Sequence, residues 1–128
     1  MAICKDLDFT ATAFDHARLG AVLMLVPAWD FDVDAWLHAR MAMMRGVEGG
    51  FAIARSARDG LLTLSDDRGR ILAEASVVGV DGVVGIVAEL PLRATRTAYR
   101  IWGDAFGAAS LLLALALAMR AARTRRID

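Results

Sequence analysis

Residues 31–57, FDVDAWLHARMAMMRGVEGGFAIARSA, decide the fold, because they predict a helix that leads almost directly into a strand. Asp32 or Asp34 is placed to cap the start of the helix. Its apolar residues at helical spacing predict one buried stripe, which comprises Leu37, Met41, Met44 and Val47. Gly49 and Gly50 end the helix, and the apolar FAIARSA that follows is typical of a strand.

The segments before this unit predict a strand, a helix and a second strand. AIC (residues 2–4) predicts the end of a short buried strand that runs into a turn, and residues 10–20 predict a short helix that Gly20 ends. The continuous apolar run AVLMLVP (21–27) predicts a strand that is covered on both faces and closed by Pro27.

The segments after it predict strands. LLTLSDDRGRILAEA (61–75) is typical of a hairpin whose turn, residues 66–69, uses Gly69 for positive φ. GVVGIVAELPL (82–92) predicts a last strand that Pro91 ends. This order of elements indicates a two-layer α/β unit or half of a larger sandwich.

The C-terminal segment holds 15 uncharged residues between Asp104 and Arg120, about 22 Å of helix at 1.5 Å per residue. Its length suits a buried core helix. Tyr99 and Trp102 before it and four arginines from Arg120 onward favour a membrane helix instead. We therefore predict three parts, a domain at 1–100, a transmembrane helix at 101–122 and a basic tail at 123–128.

Charge and cysteine content exclude several classes of function. The 128-residue chain is formally neutral, but residues 1–119 carry a net charge of −3 and the last nine residues carry +3. An acidic body argues against nucleic-acid binding. The single cysteine, Cys4, excludes an internal disulfide and multi-cysteine zinc motifs.

Few residues suggest chemistry on their own. Cys4 is either a small buried apolar residue or a nucleophile, with Lys5, Asp6 and Asp8 directly after it. The carboxylates at 30, 32 and 34 do not continue as a calcium loop, so they suit turns and caps. His16 and His38 have no companion at ligand spacing, and we interpret them as isolated surface or core residues.

Five motifs together resemble the second half of a nitrilase-superfamily (carbon–nitrogen hydrolase) domain, of the type found in apolipoprotein N-acyltransferases. AICKDLDF (2–9) is similar to the strand and elbow of the family's nucleophile, and LMLVPAWDFD (23–32) to the next core strand. HARMAMMRGVEGGFAIARSARDGL (38–61) resembles the family's Arg-Ala-x-Glu helix and the strand after it. LSDDRGRIL (64–72) resembles its hairpin, and AYRIWGDAFGAASLLLALALA (98–118) the acyltransferase ending. The implied fold is α/β, the C-terminal half of an αββα sandwich followed by one transmembrane helix.

The resemblance implies roles for four residues. Cys4 matches the nucleophile that forms a thioester acyl-enzyme, and the backbone N–H of Lys5 would stabilise the oxyanion. Asp6 matches a second acidic position near the nucleophile. Glu48 matches the helix glutamate, which has a structural role, and Gly49 replaces the usual Asn beside it.

The family's catalytic Glu and Lys precede its cysteine, whereas only three residues precede Cys4 here. Lys5 cannot substitute for the missing lysine, because adjacent residues on an extended segment point to opposite faces and its amine is therefore expected to point away from the thiol. We therefore expect the chain to be inactive alone and to need an N-terminal half or a second copy. The alternative is a non-catalytic α/β interaction module tethered by one helix, in which Cys4 is inert.

The resemblance also implies a setting for the chain. A phospholipid would be the acyl donor and a lipoprotein N-terminus the acceptor, with no cofactor or metal. The chain would lie in the inner membrane, with its body on the outer, periplasmic side and its basic C-terminus in the cytoplasm.

Overall fold

The computed structural model describes residues 1–30 and 32–124 and contains one four-stranded sheet in the order β1-β2-β3-β4. The strands are β1 (Leu23–Trp29), β2 (Ala52–Arg58), β3 (Leu61–Ser65) and β4 (Ile71–Ser76). β1 runs parallel to β2, and β2, β3 and β4 form an antiparallel meander. The parallel pair needs a crossover connection, which the predicted helix at 35–49 supplies.

The helices are α1 (Thr10–Arg18), α2 (Ala35–Gly49), α3 (Ala98–Trp102) and α4 (Ala105–Thr124). α1 and α2 cover one face of the sheet, and the core between them includes Leu7, Met24, Val26, Phe51 and Ile53. Gly20 and Gly50, with φ of 83° and 72°, end α1 and α2 as predicted. Gly69, with φ of 77°, lies in the predicted turn between β3 and β4.

α2 packs through its small residues, so the predicted apolar stripe is wrong. The buried positions are Ala35, Ala39, Ala42, Gly46 and Gly49. Leu37 and Met44 are about half exposed, at 51% and 52%. A Cβ on Gly46 would lie 2.8 Å from the carbonyl oxygen of Phe51, and real Cβ atoms do not approach backbone that closely. The helix therefore lies too near the sheet for large side chains on its inner face.

Two predictions about β1 are corrected. Pro27 lies inside the strand, which continues to Trp29; it is tolerated because β1 is an edge strand. The strand is covered on one face only, since Met24 and Val26 are buried while Leu25 is 51% exposed. The open face of the sheet borders a groove of about 500 Å³ whose lining includes Leu25, Leu64, Val84 and Ile86.

The chain begins with a 3₁₀ helix rather than a strand end. Residues Cys4–Asp8 form this helix, and the segment before it contacts β1 through a hydrogen bond from the Ala2 N–H to the carbonyl oxygen of Leu25. The prediction that the Cys4 and Lys5 side chains point to opposite faces assumed an extended segment. This assumption is wrong, because both residues lie in the 3₁₀ helix.

The predicted last strand is absent. Residues 77–97 contain no assigned helix or strand. Exposed and partly buried residues alternate through 83–90, and the partly buried Val84 and Ile86 line the groove on the open sheet face. A strand needs a neighbour for its backbone groups, and within the described residues this segment has none along its length.

The segment before the apolar helix is held to the body of the domain. The Thr95 N–H donates to the carbonyl oxygen of Gly50 at 2.9 Å, and the Thr95 hydroxyl donates to Asp67. The Thr97 hydroxyl donates to the carbonyl oxygen of Glu48 and accepts from the Arg100 N–H that begins α3. These contacts fix the point from which α4 leaves the domain.

α4 is long and apolar, and its span is exposed. Residues Ala105–Arg123 have a mean hydropathy of 1.8, and none of this span is buried. The alternative of a buried core helix therefore finds no support. By length and composition the helix suffices to cross a membrane, and the boundaries 1–100 and 101–122 stay predictions. Of the predicted tail 123–128, residues 125–128 lie outside the described part.

Candidate active site

Cys4 sits in a strained turn at the edge of the sheet. Its φ is +47°, and among the described residues only Asp59 shares a positive φ without being glycine. Such a conformation costs about 1–3 kcal/mol and persists only where neighbours enforce it. Asp6 enforces it here, because its Oδ2 accepts from the Ile3 N–H at 2.9 Å while its own N–H donates to the Ile3 carbonyl oxygen at 3.0 Å.

The thiol of Cys4 lies at the carboxyl end of β1. Its Sγ donates to the carbonyl oxygen of Trp29, the last residue of the strand, at 3.6 Å. Cys4 is partly exposed. The thiol is therefore oriented by backbone and still accessible, whereas an inert core cysteine would be enclosed by apolar groups.

A buried ion pair lies beneath the thiol. Asp30 directly follows β1, and its Oδ1 accepts a 2.5 Å hydrogen bond from the guanidinium of Arg55 in β2. Both side chains are nearly inaccessible, at 1% and 3% exposure. Arg55 also donates to the carbonyl oxygen of Leu61 at 3.1 Å. Oδ2 of Asp30 has no hydrogen-bond partner among the described residues.

His38 of α2 completes this group. Its Nδ1 lies 3.3 Å from Oδ1 of Asp30. Cys4, Asp30, His38 and Arg55 border one small cavity of about 10 Å³, roughly the room that one water molecule requires. Lys5, Leu7, Asp8 and Ala42 complete the lining. Elements that are distant in sequence thus converge on the single thiol.

Two of the sequence-predicted residues flank the thiol. Lys5 borders the same cavity, and its Nζ lies 3.8 Å from Oδ2 of Asp8. Asp6 shapes the turn through Ile3 and is not part of the cavity lining. The oxyanion role of the Lys5 N–H stays a prediction.

Glu48 lies elsewhere. It ends α2 in a 2.5 Å ion pair with Arg45, and its carbonyl oxygen accepts from Thr97. Burial raises the pKa of the Glu48 carboxyl, and the charge of Arg45 only partly opposes this. Glu48 is absent from the lining of the Cys4 cavity. Its position agrees with the predicted structural role, which stays a prediction.

Sequence reasoning missed Asp30, His38 and Arg55 as one group. Asp30 was interpreted as a turn residue and His38 as isolated, because ligand and triad spacings are defined along the chain. One signal was available: Arg55 interrupts the apolar strand FAIARSA, and a charge inside a buried strand requires a buried partner. Within residues 1–30 and 32–124, no three His, Cys, Asp or Glu side chains are grouped to hold a metal ion.

Comparisons with known proteins agree with this geometry. No family model matches the chain. It is 33% identical over 104 residues to an apolipoprotein N-acyltransferase of Bradyrhizobium diazoefficiens, a match that covers 73% of this chain and 19% of the relative. Nit3 of Saccharomyces cerevisiae, a member of branch 10 of the nitrilase superfamily, superposes with a TM-score of 0.54 at 29% identity. That alignment covers 58% of this chain and 31% of Nit3.

A second solved structure, an amidase from Nesterenkonia sp., superposes with a TM-score of 0.54 at 25% identity over 59% of this chain and 32% of the amidase. The chain belongs to the nitrilase, or carbon–nitrogen hydrolase, superfamily, as its motifs predicted. Within that superfamily its sequence similarity is to an apolipoprotein N-acyltransferase. It spans about a fifth of that relative and about a third of each of these solved structures, which is consistent with a C-terminal region.

Proposed function

We propose that this chain is the nucleophile-bearing part of a membrane-anchored enzyme that transfers an acyl group to an amine through a thioester on Cys4. The observation that carries the proposal is the conformation of Cys4, a strained and accessible thiol at the carboxyl end of β1. The acyltransferase relative supports the reaction class. In the Nesterenkonia amidase, a variant shows covalent addition of an acetamide moiety at the active site cysteine.

The reaction has two balanced steps. The Cys4 thiolate attacks the carbonyl carbon of an acyl ester, so that an S–C bond forms, the C–O bond breaks and the alcohol leaves with a proton. An amine then attacks the thioester, the C–S bond breaks, and the thiol regains its proton. In the proposal the backbone N–H of Lys5, the residue after the nucleophile, donates to the developing oxyanion. Hydrolysis of a C–N bond by the same thiol is the related reaction of the superfamily.

In the proposal, a separate N-terminal half supplies the catalytic Glu base and the Lys of the superfamily. We expect negligible turnover by the 128 residues alone, because proton transfer by a positioned base contributes about 10²–10⁴-fold to such reactions. The half-exposed Leu25 and the groove beside Leu64 leave one sheet face uncovered. A complementary N-terminal half, or a second copy of the chain, would bury this face.

The membrane setting rests on α4, which is long and apolar enough to cross a membrane and exposes its whole apolar span, as monomeric water-soluble domains rarely do. We propose a phospholipid as the donor, because a tethered domain meets acyl esters at the membrane surface, and a lipoprotein N-terminus as the acceptor. We propose the inner membrane, which the resemblance to the acyltransferases implies, with residues 1–100 on the periplasmic side and the C-terminus in the cytoplasm, because four arginines lie at and after Arg120. Three arginines at 93, 96 and 100 precede the helix, so the charge difference that sets this orientation is small.

Complementation tests the proposal. The chain is co-expressed in membranes with a separately encoded N-terminal half of an apolipoprotein N-acyltransferase, and Cys4 is examined by intact-protein mass spectrometry. We expect an acyl adduct that hydroxylamine removes, that is absent in Cys4→Ala, and that needs both halves. Paired halves that co-purify without acylating Cys4 would contradict the proposal. A Cys4→Ala change that alters only stability would favour the non-catalytic module.

A further inference from the structure

The domain is joined to α4 by a very short connection. Only Gly103 and Asp104 lie between α3 and α4, and two residues of extended chain span at most about 7 Å. α4 has 20 residues, about 30 Å of helix at 1.5 Å per residue, which matches the thickness of the hydrocarbon core of a bilayer. An α4 that spans the membrane therefore begins at the membrane surface, and the domain lies directly against that surface.

α3 is held to the body of the domain by contacts of its own. The Thr97 hydroxyl, which caps α3, donates to the carbonyl oxygen of Glu48. The ring of Tyr99 packs edge-on against Phe14 of α1, with the ring centroids 6.5 Å apart. A groove of about 220 Å³ at this junction is lined by residues of α1, α3 and the connection to α4, namely Thr10, Ala11, Phe14, Tyr99, Gly103 and Asp104. The junction of α1 and α3 is therefore the part of the domain next to the membrane.

This junction exposes large apolar side chains. Ile101 and Trp102 of α3 are 58% and 72% exposed, and Phe106 in the first turn of α4 is 87% exposed. Phe9, which directly precedes Thr10 of the groove, is 67% exposed and lies far from α4 in sequence. Aromatic side chains are enriched at the level of the lipid headgroups, where the apolar face of a surface helix is also buried. These residues therefore suit the interface between water and lipid.

The charges beside these apolar residues are mainly positive. Arg96 and Arg100 form no ion pair with a carboxylate within residues 1–30 and 32–124, whereas Arg93 lies 3.6 Å from Asp67. Asp104 is the carboxylate that borders the groove, and it lies directly before α4, where the helix dipole favours a negative charge. Two arginines next to exposed aromatic rings fit a surface that carries negative charge, such as the phosphates of anionic lipids.

We propose that the junction of α1 and α3 docks on the surface of an anionic phospholipid bilayer. Phe9 and Trp102 lie in the headgroup region, and Arg96 and Arg100 bind lipid phosphates. This inference rests on the membrane anchoring of the proposed function, but it requires neither acyl transfer nor a particular sidedness of the chain. Docking fixes how the domain is oriented on the membrane, which an anchor at α4 alone does not do.

Quenching of single tryptophans by brominated phosphatidylcholine tests the docking on the full chain in vesicles. One variant carries Phe9→Trp and has the three native tryptophans changed to Phe. Two matched variants keep only Trp102 or only Trp36. Trp36 is 62% exposed near the start of α2, about 18 Å along that helix from Glu48, which contacts Thr97. Trp102 reports the anchor, the substituted position 9 reports docking, and Trp36 reports the part of the domain away from the membrane.

In vesicles of phosphatidylcholine and phosphatidylglycerol, we expect quenching of the Phe9→Trp variant to be at least about twofold stronger than quenching of Trp36. Adding Arg96→Gln and Arg100→Gln should lower the quenching at position 9 to the Trp36 level. The same two changes should leave Trp102 quenched, because α4 holds it at the interface. Arg58→Gln, at the far end of β2 from Gly50, is the charge-removal control and should change neither signal.

Position 9 quenched no more than Trp36, while Trp102 is quenched, would overturn the docking and leave the anchor intact. Equal quenching at position 9 in vesicles of phosphatidylcholine alone would overturn the assignment to anionic lipid. A blue shift of the Phe9→Trp emission that grows with the protein-to-lipid ratio, without quenching, would show that a second copy covers this face instead. If Trp102 is not quenched either, the membrane anchoring of the proposed function fails, and the docking fails with it.

Discussion

The guanidinium of Arg55 donates a 2.5 Å hydrogen bond to Asp30 at a site where the two side chains are 3% and 1% exposed. Removing one partner of such a pair leaves an uncompensated charge in the interior, which costs about 3–5 kcal/mol. We expect Arg55→Met to lower the free energy of unfolding by about that amount in urea titrations followed by tryptophan fluorescence. Arg68→Met, at an exposed position of the β3–β4 turn, should change it by less than about 0.5 kcal/mol. A loss below about 1 kcal/mol for Arg55→Met would show that the pair is not buried as described.

Gly60 leaves space for the Asp30 carboxylate. A Cβ at this position would overlap Oδ2 of Asp30 and lie 3.0 Å from the Cβ of Ala57. We expect Gly60→Ala to destabilise the fold by about 1–3 kcal/mol, as overpacking does. Gly85→Ala is the matched control, since a Cβ there meets nothing within 4 Å. Equal stability of the two variants in the same thermal melt would argue against this packing.

Glu74 on β4 connects the sheet to α2. Hydrogen bonds from Arg40 hold the pKa of the Glu74 carboxyl below its ordinary 4.5, although partial burial opposes this, and Thr63 also donates to it. A carboxyl whose pKa is lowered by folding stabilises the native state fully above its unfolded value and loses that contribution as pH falls through the folded value.

Stability should therefore fall as the pH drops below about 4.5 and through the lowered pKa of the folded state. Glu74→Gln should lower stability at pH 7 and flatten this acid limb, measured as urea midpoints from pH 3 to 7. Glu89→Gln, at an exposed position outside the sheet, serves as the control. Parallel curves for wild type and Glu74→Gln would refute the contribution of the Arg40–Glu74 pair.

α4 should hold the chain in a bilayer. Leu113 lies near the middle of the helix and is 61% exposed. Leu113→Arg places a charge there, which costs about 2.5–3.5 kcal/mol on insertion scales. We expect a large share of this variant to be extracted from membranes by carbonate, whereas Leu113→Ile stays in the pellet. Equal extraction of both variants would contradict a membrane-spanning α4.

The ends of the helices and the hairpin turn were predicted correctly from the sequence, because each is set by a glycine close to it in the chain. α1 and α2 end at Gly20 and Gly50, and the hairpin turn places Gly69 at positive φ. These signals depend on a few neighbouring residues, so they survive without knowledge of the rest of the fold.

The wrong predictions concern contacts between segments that are distant in sequence. The helix stripe was placed on large residues because periodicity does not reveal how close the sheet lies, and Gly46 shows that it lies very close. The strand predicted at 82–92 has the right pattern but lacks a paired neighbour along its length in the described residues. Cys4 was predicted as the nucleophile from a resemblance, whereas its approach to Asp30 and His38 depends on a crossover that no spacing rule contains.

The most direct test of the account is acylation of Cys4 by an activated acyl ester in the folded chain at neutral pH, followed by intact-protein mass spectrometry. The activated ester supplies a good leaving group, so the reaction proceeds without the second half of the domain. We predict a single thioester adduct that forms faster than in urea, disappears in Cys4→Ala and slows in Asp6→Ala, where the turn that holds Cys4 is released. Labelling that appears only after denaturation would show that Cys4 is a buried structural residue and would contradict the central claim.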